Sequence, residues 1–156
     1  MMSLFTQTRG AKSVVALALI SAAVGLSACS QSASPDVEAR ENIMKDWGNA
    51  VGIMGDMIEA PDTFDAAKFQ EQAAYLADSA DSPWTHFQDE NAVGGAMETV
   101  WSDADGFSSK VDNFKQATDA LNQAAQGASS AADVQPAFAE VGASCKACHT
   151  DYRAES

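Results

Sequence analysis

Apolar residues along this chain recur three and four positions apart. Met44, Trp47, Val51, Met54 and Ile58 share one stripe, which predicts an amphipathic helix over about residues 37–59, ended by Ala60-Pro61-Asp62. Phe69, Ala73, Leu76 and Ala80 repeat the spacing and predict a second helix over about 65–80, stopped before Asp81-Ser82-Pro83. The stretch on to Asn91, which holds Trp84 and Phe87, reads as a loop. From Met97 through Val100, Ala104, Phe107, Val111, Phe114, Thr118, Leu121 and Ala125 the alternation continues, predicting one long third helix over about 93–126 that ends at Gly127. A fourth stripe carries Val134, Phe138, Val141, Cys145, Cys148 and Tyr152. Its start is open, because Pro136 suits the first turn of a helix opened by Asp133 but would bend one begun at Ser130. No run alternates with period two. Four amphipathic helices with short connections predict an all-α fold, an antiparallel four-helix bundle.

The first 28 residues stand outside that pattern. Arg9 and Lys12 precede an apolar run from Val14 to Ile20 and then small residues, which is the layout of an export signal and too short for a spanning helix. It closes on Leu26-Ser27-Ala28-Cys29, which resembles a bacterial lipobox and makes Cys29 the candidate lipidation site; ordinary secretory cleavage after Ala28 is the alternative. Residues 29–36, mostly small and polar, read as a tether, leaving 37–156 as the bundle domain. The expected location is the periplasm, with contact to a membrane only through the lipid. Without residues 1–28 the chain has seven cations against 22 carboxylates, a net charge of −15. That charge repels phosphate, so no nucleic-acid partner is expected; it would either steer a basic redox protein or simply keep the surface soluble.

Chemistry concentrates at Cys145-Lys146-Ala147-Cys148-His149. This is the spacing of c-type haem attachment, and positions i, i+3 and i+4 of a helix fall on one face. Two thioethers and an imidazole can then approach the same side of a porphyrin, with His149 as axial ligand to the iron. A Cys145–Cys148 disulfide is the competing assignment. Only Thr150 to Ser156 follow the motif, so a distal group must come from an earlier helix. Among other candidates, Met54, Met57 and Met97 read as core filler, and His86 as an exposed side chain rather than a second ligand. Gly48, Gly52 and Gly55 share a second face of the first helix, where a partner helix, a haem edge or a second subunit could come close.

The segment Val141 to His149, followed by Tyr152-Arg153, resembles the C-terminal signature of the class II cytochromes c, specifically the cytochrome c′ family. Further matches are Arg40 with Met44-Lys45, Phe64-Asp65-Ala66-Ala67, Pro83-Trp84 with Phe87, and Val100-Trp101-Ser102, so that the resemblance spans about residues 37–154. Gln88-Asp89-Glu90-Asn91, with His86, stands where the family commonly has a Pro-Gly turn. The resemblance implies one covalently bound haem c inside the bundle, pentacoordinate iron that binds nitric oxide or carbon monoxide, single-electron transfer, and commonly a homodimer. It also implies that Arg40 pairs with a haem propionate, and the apolar stripe on which that charge lies supports this; the alternative is an arginine snorkelling off the bundle end. Met44, one turn on, would lie over the distal haem face. Arg153, four residues after His149, would orient or shield the proximal imidazole, or else act as a cation favoured by the helix dipole.

The expected function is therefore a non-enzymatic haem protein that binds small diatomic ligands or carries electrons. A six-coordinate electron carrier with Met44 as second ligand is the first alternative. A peroxidase would need a distal acid–base pair, which the Met44, Trp47, Val51 stripe lacks, and a structural lipoprotein would carry no haem at all.

Overall fold

The computed structural model describes residues 34–155. The proposed signal, Cys29 and most of the tether lie outside the described residues. Helix α1 spans Pro35–Glu59, α2 Ala66–Ser79, α3 Thr99–Ser102, α4 Ala104–Gln126 and α5 Ala131–Tyr152, with 3-10 turns at Pro61–Thr63 and Trp84–Phe87. Among the described residues there are no strands, only an isolated antiparallel bridge between Ala96 and Arg153.

Local chemistry sets the helix ends. Ser34 accepts from Val37 N at 3.2 Å, and Pro35 occupies the first turn beside Asp36 and Glu38, whose charges suit the positive end of the helix dipole. The helix thus begins two residues before the expected boundary, taking in Pro35 and Asp36 from the tether. Asp65 caps α2 through Lys68 N at 3.0 Å. The open question at α5 is settled at Ser130, where Ser130 and Asp133 form a capping box and Pro136 is accommodated inside the helix. Hydrogen bonds from Ser129 and Ser130 hold the Asp133 carboxyl below its usual range.

The long third helix expected over 93–126 is a correction. Residues 93–98 form turns, with Gly94 at φ +50°, and Asp103 (φ −124°, ψ 56°) separates the single turn α3 from α4. Two local preferences override the stripe. Gly94 sits where a Cβ would fall 2.5 Å from Val37 Cγ1, and Asp103 accepts from Gly106 N at 3.3 Å, which starts a new helix. Met97, assigned to the core by its spacing, is 38% exposed in consequence.

The core gathers the remaining stripes as expected. Met54, Phe69, Leu76, Leu121, Val134 and Val141 are completely buried, and each large apolar side chain contributes about 1.5–3 kcal/mol by leaving water. Met54 and Met57 belong to this core. Helices α1 and α2 pack against each other across the short turn at Pro61–Thr63 and so run antiparallel, and Trp47 in the middle of α1 donates to Ser79 Oγ at the end of α2 at 2.7 Å. Helices α4 and α5 do likewise, with Phe107 near the start of α4 against Tyr152 at the end of α5, ring centroids 5.3 Å apart. Gly55 approaches Phe138, whereas Gly48 and Gly52 face open space in this chain. The packed end of the bundle lies toward Phe69 and Val134, which leaves the other end for the site.

Candidate functional site

At that end, the last turns of α5 present Cys145, Cys148 and His149 to an internal cleft. All three are half-buried, and both thiols are free. The cleft consists of two cavities, of about 330 Å³ and about 200 Å³, which share Met44, Trp84, Cys148 and His149 in their walls. Cys145 lines the smaller cavity with Trp47, Val51 and Phe114. Arg40, Phe87, Phe107 and Arg153 line the larger.

Aromatic rings build most of the wall. Trp84 packs against Trp47 (5.9 Å between centroids), Phe107 (6.0 Å) and Phe114 (6.2 Å), and Trp47 against Phe114 at 4.7 Å. Both indole N–H groups are engaged away from the cleft, Trp47 by Ser79 Oγ at 2.7 Å and Trp84 by Ala80 O at 2.5 Å. From these two residues the cleft therefore sees ring surface rather than an N–H donor.

Four of the seven cations outside the signal line this cleft: Arg40, Lys45 and Arg153 in the larger cavity and Lys110 in the smaller. Arg40 is 4% exposed. Its guanidinium donates to His86 O at 2.8 Å and to Ala92 O and Val93 O at 2.6 Å each, and lies 4.4 Å from the centre of the Phe87 ring. Burial pulls its pKa down, while Glu41 and Asp36 oppose that. Arg40 is thus not snorkelling; it clamps the loop that forms one cleft wall. His86, read from sequence as exposed, is half-buried with Nδ1 2.8 Å from Asp36 Oδ1, and it lines neither cavity.

Burial raises the pKa of the Cys145 thiol, and it pushes Cys148 up to about 11 with help from the neighbouring thiol. Both stay protonated at neutral pH. The His149 imidazole moves the other way, lowered first by burial and then by the Arg153 charge, whose Nη1 is 3.5 Å from His149 Nδ1. Both effects favour the uncharged imidazole, the form that can bind a metal. The sequence-predicted site residues Met44, Arg40, Cys148, His149 and Arg153 therefore meet around one cavity, and Cys145 joins through the second.

Several wall residues are not predicted site residues. Trp84 and Lys45, which the sequence offers only as matches to the family, line the cleft, Trp84 in both cavities, and Gly95, Ala96, Lys110 and Ser144 also contribute. The adjacent Gly94-Gly95 pair inside an apparent helix was the available signal for the last turn of that wall.

An apolar, ring-lined cleft with two thiols and a neutral imidazole on one side and cations at its edge fits a porphyrin with its carboxylates. Fold and motif together define a helical-bundle c-type cytochrome. The family profile described as Cytochrome C′ matches residues 36–153. The curated cytochrome c′ of Alcaligenes xylosoxydans xylosoxydans is 32% identical over 131 residues, covering 79% of this chain and 98% of its own. Cytochrome c-556 of Agrobacterium fabrum is 29% identical over 126 residues, covering 78% and 82% respectively. A solved nitric oxide complex of a mutant cytochrome c prime from Alcaligenes xylosoxidans matches with a TM-score of 0.73 at 30% identity, covering 78% of this chain and 94% of that one. The chain belongs to the cytochrome c′ family, and its cofactor is a covalently bound haem c.

Proposed function

We propose that this chain is a periplasmic haem protein whose iron, held by His149 alone, binds nitric oxide or carbon monoxide and passes single electrons. The observation that carries the reading is the shared cleft: Cys145, Cys148 and His149 all line the smaller cavity, and the groups facing them from α1 are Met44, Trp47, Gly48 and Val51. When bound, the haem supplies an iron centre that takes up diatomic ligands and changes charge by one electron.

The chain's own residues hold and shape that centre. Cys145 and Cys148 would each hold one vinyl group as a thioether, the thiol adding S–H across the double bond with no oxidant needed. His149 offers a ring nitrogen whose protonation is disfavoured first by burial and then by the adjacent Arg153 cation. Arg40 spends three of its five N–H groups on loop carbonyls, so Nε–H and one Nη1–H can turn to a propionate. Trp47 and Val51 bring bulk without donors, which favours neutral nitric oxide or carbon monoxide over oxygen, whose bound form needs a hydrogen bond. The solved relative from Alcaligenes xylosoxidans is a nitric oxide complex, which supports the choice of ligand.

One observation favours a second reading. Met44 lines both cavities, and a thioether can serve as a second axial ligand, which would make the protein a six-coordinate electron carrier. Export and lipidation at Cys29 rest on the sequence of residues 1–29. Titrating the dithionite-reduced protein with carbon monoxide tests the five-coordinate reading. One carbon monoxide should bind per haem at a rate proportional to its concentration. A rate that saturates at a slow limiting value, set by loss of an internal ligand, contradicts it.

A further inference from the structure

The turn of α5 that bears the iron-binding motif is fixed from outside the motif. Tyr152, three residues beyond His149 and 6% exposed, donates its hydroxyl to Asp103 Oδ2 at 2.7 Å. Asp103 sits at the break between α3 and α4, and its other oxygen accepts from Gly106 N at 3.3 Å. One carboxylate thereby caps α4 and anchors α5. Gly106 fits this arrangement closely: a Cβ there would run into the Asp103 carboxylate and lie 2.5 Å from the Tyr152 hydroxyl. The backbone is tied as well, with Met97 N donating to Tyr152 O at 2.9 Å and Ala154 N to Gly95 O at 3.0 Å.

His149 needs such support for a specific reason. A ligating histidine is ordinarily aimed by a carboxylate or carbonyl that accepts from its other ring N–H. Here the neighbour of Nδ1 is the Arg153 guanidinium at 3.5 Å, which can only donate. The ring's orientation is then left to the backbone of the last helical turn, the part of a helix that frays most readily.

Building on the haem reading above, we propose that Asp103 and Tyr152 are positioning residues for His149, their hydrogen bond holding the last turn of α5 so that the imidazole meets the iron in one orientation. The hydrogen bond to Asp103 and burial push the Tyr152 hydroxyl up to about 12, so it remains a donor through mildly alkaline solution.

The test is resonance Raman spectroscopy of the ferrous holoprotein, read at the iron–histidine stretch. Tyr152→Phe and Gly106→Ala should each shift or broaden that band while both thioethers remain intact. Asp103→Asn should keep the wild-type band, since the amide oxygen can cap Gly106 and the amide N–H can reach the phenolic oxygen. A wild-type band in both Tyr152→Phe and Gly106→Ala, with only a lower melting temperature, would overturn the proposal. A His149→Gly protein that still gave the wild-type band would instead overturn the ligand assignment on which the proposal rests.

Discussion

Replacing both Cys145 and Cys148 by Ala is expected to release the haem completely: none should survive denaturing electrophoresis, and acid acetone should extract all of it. The thiols sit one helical turn apart on the face that carries His149, and each lines the cleft. Without them, the remaining hold on the porphyrin is one imidazole, ring packing and the cations at the edge, all of which denaturation abolishes. Each single substitution leaves one thioether, so those proteins should still stain but with altered haemochrome absorption. Full retention of stain in the double variant would disprove attachment at these residues.

Arg40→Met should lower stability by about 3–5 kcal/mol, with a fall in melting temperature on the order of 10 °C. The guanidinium serves three carbonyls at once, His86 O, Ala92 O and Val93 O, and removing it strands acceptors in a partly buried loop. Arg40→Lys should recover only part of the loss, because an ammonium cannot match the planar fork or stack on Phe87. Urea unfolding of the three proteins measures both effects. A change within about 1 kcal/mol for Arg40→Met, the size of an ordinary exposed substitution, would mean that the loop does not depend on this clamp.

How much of this was legible in the sequence depended on the range of the interaction. The stripes of α1, α2 and α5 and the later part of α4 follow from spacing alone, because Met54, Leu76, Leu121 and Val141 need only a common face to meet. The motif was legible because its three reacting groups lie within five residues. The stretch from Val93 to Asp103 was misread because apolar spacing through Met97, Val100 and Ala104 continues whether or not the backbone does. Asp103 with Gly106 three residues on, and the Gly94-Gly95 pair, were the local marks of the break. Arg40 could be placed on the core stripe but not assigned its partners, since backbone carbonyls 46 to 53 residues away leave no trace in side-chain identity. Trp84 had the same difficulty: its place between two cavities depends on Trp47, Phe107 and Phe114 from two other helices.

The state of the iron's sixth position decides between gas binding and plain electron transfer, and the absorption spectra of the purified ferric and ferrous protein, with Met44→Leu beside it, read that state directly. Met44 lines both cavities, yet the surrounding Trp47, Val51 and Trp84 surfaces give its side chain apolar neighbours to pack against instead of the metal. The account predicts high-spin spectra in both oxidation states, unchanged by Met44→Leu. A low-spin wild type that turns high-spin in Met44→Leu would contradict it, making Met44 the second axial ligand and the protein a six-coordinate electron carrier.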